Sequence, residues 1–252
     1  MTKYLLKLVF RAEEHVHVGS SEGEGEVLLE VMKVNGKPII PSTTLKGALR
    51  ALAESIMKGV DGDALPQEVS KAVKAHREDE RGLRHIDTPV SEENEDAERE
   101  VAEKCPIDRL FGSLAFASSL KLSDALPRDE VMLGHLTSVG IDRCSLTAKK
   151  GVLFTLEVVE RGAEFVSYAV LDLDSPELKA DKYHLKLLMA LLNHIKERGL
   201  KVGSRKSVGL GLIKLVEFTA LKFECMDDLI YPQRKQMDFA SFMKDLTSRI
   251  IE

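Results

Sequence analysis

Two short segments of the sequence carry residue types that bind phosphate, and the first is residues 39–50, IIPSTTLKGALR. Its three hydroxyl residues stand at the predicted start of a helix, where backbone N–H groups attract anions. Its lysine and arginine lie four residues apart on one helical face, and its glycine permits close approach of a ligand. An ordinary Ser/Thr cap on an amphipathic helix is the alternative interpretation. The candidate phosphate contacts are Ser42, Thr43, Thr44, Lys46, Gly47 and Arg50.

The second segment is residues 202–211, VGSRKSVGLG, which combines three glycines with basic and hydroxyl side chains. Such a loop is able to follow a sugar-phosphate backbone. It matches neither the GxxxxGK[ST] loop before a helix nor the GxGxxG turn after a strand, which argues against both common nucleotide-binding loops. A purely structural turn is the alternative. The candidate contacts here are Gly203, Ser204, Arg205, Lys206, Ser207 and Gly209.

Metal-binding residue types are present but sparse. His15 and His17 have the spacing that places two imidazoles on one side of a strand, yet no third ligand can be assigned to them. The three cysteines are odd in number and widely spaced, which excludes a disulfide framework and a zinc cluster made of cysteines alone. Cys105 has only the distant His76 and His85 as further zinc ligands, so we expect no tight structural zinc site.

The elements that would position these segments follow from hydrophobic periodicity. Residues 3–10 predict a strand, and a helix is predicted from Pro41 to about Lys58. Residues 151–174 predict a β-hairpin with a turn at Arg161-Gly162, followed by a helix that ends near Gly199 and a last core strand. The order strand, helix, hairpin, helix, strand predicts an α+β fold with a ferredoxin-like core.

Two further segments lie outside this pattern. Residues 59–104 are dominated by charge and predict an inserted lid, for which a solvated loop or exposed helix is favoured over an acidic binding surface. Residues 219–252 form a C-terminal extension, in which five apolar residues share one helical face. We expect that face to pack on the domain itself or on a neighbouring subunit.

Composition limits the class of protein. The chain has 252 residues, 44% of them hydrophobic, which fits a single domain spanning residues 1–252 and excludes a wholly disordered chain. The net charge is −5, so any phosphate-binding surface must be a local basic patch. No apolar run reaches about 18 residues and no secretory signal is visible, so we expect a cytoplasmic protein without a membrane partner.

The two phosphate-binding segments together resemble motifs of the RAMP superfamily, the repeat-associated proteins of CRISPR systems. The resemblance is strongest to the backbone subunit of type III effector complexes. Three further segments are similar to that family: HVG at residues 17–19, CPIDRLFGS at residues 105–113 and GIDRCSLTAKKGVLF at residues 140–154. The family often carries a CxxC zinc motif, but the second cysteine position is Asp108 here.

The resemblance implies a protein that binds a guide RNA and lies against its target RNA, in antiviral defence. Copies or paralogues of such a subunit stack with other subunits along the guide. The two phosphate-binding segments would contact the guide, and a thumb at about residues 130–155 would contact the guide–target duplex or the next subunit. The thumb candidates are Asp142, Arg143, Lys149 and Lys150.

The resemblance also concerns catalysis. Type III backbone subunits cut target RNA with an aspartate that falls near Leu28 here, and Glu26 and Glu30 are only weak substitutes. Mg²⁺ is therefore expected only if the subunit is an active nuclease. Two alternatives stay open: an endoribonuclease that processes precursor guide RNA with His15, His17 or Tyr4 as acid and base, and a structural scaffold without RNA contact.

Overall fold

The computed structural model of the protein describes residues 2–19, 28–59, 65–79, 103–113, 117–173, 182–225, 228 and 235–251. In these ranges the strands are β1 (Lys3–Ala12), β2 (Leu28–Leu29), β3 (Lys33–Val34), β4 (Lys37–Pro38), β5 (Leu120–Leu122), β6 (Leu126–Pro127), β7 (Leu133–Ile141), β8 (Ala148–Val159), β9 (Glu164–Asp172), β10 (Leu200–Lys201), β11 (Leu212–Phe223) and β12 (Gln236–Met237). The helices are α1 (Ser42–Gly59), α2 (Gln67–Asp79), α3 (Pro106–Phe111), α4 (Tyr183–Glu197) and α5 (Phe239–Ile251), with a 3₁₀ turn at Lys206–Val208.

The main sheet is antiparallel and has the order β10-β11-β1-β9-β5, with β12 added to β11 and β6 added to β9. Alternate residues of β1 enter the core because successive side chains of a strand point to opposite faces. Tyr4, Leu6, Leu8 and Phe10 are buried in one apolar cluster together with residues of the helices. The chain is therefore a mixed α+β protein, as the sequence predicts.

The predicted hairpin at residues 151–174 is wrong. β8 pairs with β7 and β2 in a separate three-stranded sheet, whereas β9 joins the main sheet beside β1. The turn between them is bonded to the end of β1, with Gly162 N–H donating to Ala12 O at 2.8 Å. The alternation of apolar residues predicts both strands, but it does not determine which strand each of them pairs with.

The two predicted core helices are confirmed. α1 begins at Ser42, and α4 ends at Glu197, shortly before Gly199. One face of α4 is buried and includes Leu185, Leu188, Leu192 and Ile195, with Leu187 and Leu191 beside them. Each fully buried leucine contributes about 1.5–3 kcal/mol from burial alone, so α4 is a major element of the core.

Parts of the lid and of the C-terminal extension belong to the core. Val69, Ala72 and Val73 of α2 are buried in the main cluster, so this part of α2 is not the solvated segment expected there. The extension packs on its own domain through α5, where the Phe242 ring lies edge-on to the Tyr4 ring with centroids 5.3 Å apart. Across the described ranges, we find no helix with the length and apolar character needed to span a membrane.

Candidate nucleic-acid interface

The glycine loop, residues 202–211, is fixed to a short strap formed by residues 15–19. Ser204 N–H donates to His17 O at 3.0 Å, and Gly211 N–H donates to His15 O at 2.8 Å. Val202 N–H donates to Gly211 O at 2.9 Å and closes the base of the loop. Because backbone bonds hold both ends, the loop has a defined shape before any ligand binds.

Gly203 and Gly209 have different roles within the loop. Gly203 has φ +74°, and a Cβ placed on it would lie 2.1 Å from His17 O, so the strap leaves no room for a side chain. Gly209 has φ +85°, but a Cβ there would meet no atom within 4 Å. Packing within the described chain therefore explains Gly203, while the open space at Gly209 is available to an approaching ligand.

The outward side of the glycine loop carries the polar groups. Ser204, Arg205, Lys206 and Ser207 are all exposed, and Lys206 has no ion-pair partner among the described residues. Arg205 adopts φ +54°, a left-handed conformation that is uncommon for residues other than glycine and often marks functional sites. The loop thus presents two cations and two hydroxyl groups to solvent, which is the chemistry of a phosphate-binding surface.

The helix-start segment, residues 39–50, is anchored differently from the Ser/Thr cap considered in the sequence. Ser42 N–H donates to Asp124 Oδ1 at 2.7 Å, so a carboxylate from the main-sheet edge caps α1. Ile40 and Ala125 exchange backbone hydrogen bonds of 3.1 and 2.9 Å beside it. Thr43 is exposed and Thr44 is half-buried, which leaves their hydroxyl groups near the start of the helix.

Lys46 and Gly47 keep properties that fit ligand binding. Gly47 is exposed, and a Cβ on it would meet nothing within 4 Å. A glycine inside a helix lowers the free energy of unfolding by roughly 1 kcal/mol relative to alanine. Because a Cβ would clash with no described atom here, packing does not explain why this residue is glycine. Burial lowers the pKa of Lys46, and the charge of Arg50 lowers it further. A phosphate beside Lys46 would offset both effects.

Arg50 has a structural role in α1. It contacts Asp108 of α3 at 3.1 Å and Glu54 at 3.7 Å, and it donates to Gly112 O at 3.1 Å. Two carboxylates and a carbonyl therefore already compensate its charge. Arg50 thereby links α1 to α3, and its expected phosphate contact stays a prediction. β10, which leads into the glycine loop, also contacts α1, so one core supports both candidate segments.

β7 and β8 form the tip hairpin, whose turn spans residues 142–147. The Asp142 carboxylate accepts hydrogen bonds from Cys144 N–H and Ser145 N–H, both at 2.9 Å, and these bonds lower its pKa. Leu146 has φ +56° and is 79% exposed, and Ile141 is 64% exposed. The turn therefore projects apolar side chains into solvent. Arg143 is also exposed, whereas the side chains of Lys149 and Lys150 lie outside the described part.

Glu157 is a buried charged residue that sequence reasoning missed. Its carboxylate accepts hydrogen bonds from Val31 N–H at 3.0 Å and Lys33 Nζ at 2.8 Å, and its backbone carbonyl accepts one from His17 Nδ1 at 2.7 Å. Burial alone would raise its pKa, but the bonds from Lys33 and Val31 outweigh burial and lower it. Glu157 thereby joins the strap, the tip hairpin and the segment after β2. Its only sequence signal is a charge within an apolar strand.

We predict that Glu157→Gln lowers the free energy of unfolding by about 1–3 kcal/mol at neutral pH, because a buried charged hydrogen-bond network is broken. The folded pKa is lowered, so this stabilisation exists above the unfolded pKa and disappears as pH falls through the folded pKa. Denaturant unfolding from pH 7 to pH 3 should show the wild type converging on the variant in acid. The exposed Glu130→Gln is the control, and an equal loss at every pH would contradict the assignment.

The described residues do not fit a metal centre. No group of three His, Cys, Asp or Glu side chains comes together in the described ranges. Burial, with the neighbouring Asp108 carboxylate, raises the pKa of the Cys105 thiol to about 12, which disfavours the thiolate that zinc requires. Asp108 itself is paired with Arg50. His85 and the side chain of His76 lie outside the described part.

The position expected for a catalytic aspartate is a leucine, and the described residues place no group of three His, Cys, Asp or Glu side chains there. The backbone of Leu28 pairs with Thr155 of β8, and a leucine side chain offers no oxygen ligand. Both carboxylate oxygens of Glu157 are engaged by Val31 and Lys33. Glu30 is half-buried, and Glu26 lies outside the described residues.

The acid–base set Tyr4, His15 and His17 is not brought together. Tyr4 lies at the start of β1 and is fully buried, with its hydroxyl donating to Asp245; burial and that bond raise its pKa. His15 and His17 follow the other end of β1, roughly 25 Å further along an extended strand. His17 is buried, and its Nδ1 carries a proton because the Glu157 carbonyl only accepts.

Comparison with known proteins gives one family. The family model described as the RAMP superfamily matches residues 9–214. This range contains the strap, the helix-start segment, the tip hairpin and the glycine loop. No curated protein matches the sequence.

Proposed function

Because the chain belongs to the RAMP superfamily, we propose that it is a guide-RNA-binding backbone subunit of a type III CRISPR effector complex. One observation carries this proposal: the glycine loop is fixed to the strap by its backbone while Arg205, Lys206 and two serines face solvent. The loop is a preformed surface for a sugar-phosphate backbone. RNA would bind without reordering the loop, which limits the entropic cost of binding.

The topology supports a ferredoxin-like core. Four strands of the main sheet, β1, β5, β9 and β11, follow one another along the chain, with α1 before β5 and α4 before β11. Their order in the sheet is β11-β1-β9-β5, and all neighbours are antiparallel. This order supports the split βαβ arrangement that we propose for the core. The tip hairpin is then an excursion between the second and third core strands.

Recognition of the guide is proposed to depend on phosphates rather than bases. Arg205 and Lys206 neutralise phosphates, while Ser204, Ser207 and the loop backbone donate hydrogen bonds. From the helix-start segment, Thr43 and Lys46 contribute beside Gly47, whose open surface admits the backbone. Sequence is read by pairing between guide and target, so the protein needs no base-specific contacts.

The tip hairpin is proposed as the thumb, at about residues 130–155. Its exposed Ile141 and Leu146 provide apolar surface for the guide–target duplex or for an adjacent copy or paralogue. Residues 59–104 are proposed as a lid around α2. The C-terminal extension, residues 219–252, is proposed to stabilise the core. The partners are thus guide RNA, target RNA and other subunits.

We predict that Ile141→Thr combined with Leu146→Asn leaves the folded domain intact but impairs assembly on RNA. Both side chains are exposed, so the free energy of unfolding should change by less than about 0.5 kcal/mol. Native mass spectrometry on an RNA long enough for several subunits should show shorter assemblies. Ile251→Thr, an equally exposed apolar site, is the control. Normal assembly by the tip variant would remove the hairpin from the interface.

We predict that the wild-type complex does not cut target RNA at regular positions. Leu28 provides no carboxylate to organise the scissile phosphate, and a displacement of about 1 Å costs roughly a hundredfold in rate. A reconstituted complex with matched target RNA and Mg²⁺ should gain cleavage when Leu28→Asp is introduced. Regular wild-type cleavage that is lost in Glu26→Ala or Glu30→Ala would show that a glutamate performs this role.

The proposed function is tested by incubating the purified protein with RNA that contains the CRISPR repeat. Binding without cleavage is the expected result. Cleavage at one position would instead indicate the precursor-processing endoribonuclease, and absence of both would indicate a scaffold subunit. The buried Tyr4 and its distance from His17 argue against the first alternative.

A further inference from the structure

The face of the main sheet that points away from the core is open among the described residues. On β1, residues alternate between buried positions and a second row that contains Lys3, Leu5 and Lys7. The helices that contact this sheet are α1, α3, α4 and α5, and their buried apolar residues belong to the cluster on the other face. The outer sheet face is defined here by Leu5, Lys7, Lys121, Tyr168, Val170 and Leu221.

Tyr168 stands in the middle of this face. It is 49% exposed and lies directly opposite Lys7 in the pairing of β9 with β1. On the other side, Lys121 of β5 is opposite Val170 and therefore lies diagonally from Tyr168. Directly opposed residues on a sheet have Cβ atoms about 5 Å apart, and diagonal ones about 7–8 Å apart. One exposed aromatic ring is thus flanked by two lysines on neighbouring strands.

The charges on this face remain accessible to an anion. Lys121 is exposed and has no ion-pair partner among the described residues. Lys7 contacts Glu217 at 2.9 Å, but both side chains are more than a third exposed, and exposed pairs hold a lysine only weakly. Arg128 contacts Glu217 at 2.9 Å and Glu164 at 3.1 Å, so Lys7 shares the Glu217 carboxylate with a second cation. Lys121 is therefore the cation of this face that is most available to an anion.

The residue types favour RNA over a protein partner. Lysine is depleted in protein–protein interfaces, and the apolar residues beside Tyr168 are half-buried, offering little apolar area. A tyrosine ring flanked by lysines matches single-stranded nucleic acid, whose bases stack on aromatic rings while the adjacent phosphates meet cations. Leu5 and Val170 extend the platform beside the ring.

We propose that the outer sheet face is a second RNA-binding surface, on which Tyr168 stacks on an unpaired base and Lys7 and Lys121 contact the flanking phosphates. This inference rests on the proposed function in that its ligand is RNA, but it uses residues separate from the glycine loop. It gives the subunit a place for a single-stranded RNA segment in addition to the guide path.

The test uses the full chain and a fluorescent oligouridine of about fifteen nucleotides, measured by anisotropy at low salt. Tyr168→Ala should weaken binding by about tenfold, because stacking on one aromatic residue is lost. Tyr168→Phe keeps the ring and should bind within about twofold of wild type. Lys121→Ala should weaken binding and flatten its salt dependence. An oligouridine carrying 4-thiouridine should form a photo-crosslink at Tyr168.

The outcomes separate this proposal from the proposed function. If Tyr168→Ala binds RNA like the wild type while Arg205→Ala/Lys206→Ala loses affinity, the proposal of RNA binding by the outer sheet face is overturned and the glycine loop remains the proposed guide-binding surface. If only Tyr168→Ala loses affinity for RNA, the result supports RNA binding by the outer sheet face and contradicts RNA binding by the glycine loop. Unchanged RNA binding with altered self-association in sedimentation would make the face a protein interface and would also overturn the proposal.

Discussion

Gly203→Ala is expected to lower RNA affinity at least tenfold and to destabilise the domain by several kcal/mol. A side chain at φ +74° is strained by roughly 1–2 kcal/mol, and its Cβ would lie 2.1 Å from His17 O. That oxygen belongs to the backbone, so no rotamer change relieves the clash. The loop must move off the strap, which breaks the bond from Ser204 N–H to His17 O.

Gly209→Ala is the matched control for this prediction. It has a similar φ of +85° but no atom within 4 Å of the added Cβ, so only the backbone strain applies. Its loss of stability should stay near 1–2 kcal/mol. Thermal unfolding and RNA binding should be measured for both variants. Equal effects on stability would mean that the strap does not constrain Gly203.

Helix and strand positions could be predicted from the sequence because burial of one face makes apolar residues recur with the period of the helix or strand. The apolar spacing of α4 and the alternation of β1 located those elements, and the shared face of residues 239–250 located α5. The pairing of the strands within the sheets could not be predicted. β7, LGHLTSVGI, is mostly exposed and lacks a strong alternation of apolar and polar residues. The sequence therefore gives little indication that β7 is the strand that pairs with β8.

The candidate site was predictable in its segments and less so in its individual side chains. The glycine loop was found from composition, but the strap that shapes it depends on backbone bonds over nearly two hundred residues of separation. Arg50 has the residue type and spacing of a phosphate contact, yet Asp108 lies beside it only after α3 folds against α1. Glu157 and Asp124 were missed for the same reason, since their partners are distant in sequence.

The largest expected effect on binding comes from Arg205→Ala combined with Lys206→Ala. These exposed cations should each neutralise about one phosphate, and every neutralised phosphate releases counterions. Affinity for repeat-containing RNA should fall at least tenfold at low salt. The slope of log affinity against log salt should become shallower by roughly one to two units. The fold should be unaffected because both side chains are exposed.

The most direct test of RNA binding by the glycine loop is therefore the salt dependence of binding by three proteins: the wild type, the loop variant, and Lys71→Ala/Lys74→Ala. The last removes two exposed lysines from α2 and leaves the loop intact, so it controls for net charge alone. We expect a shallower slope for the loop variant and an almost unchanged slope for the α2 variant. A loop variant whose affinity and slope match those of the wild type would contradict the claim that the glycine loop holds the guide RNA.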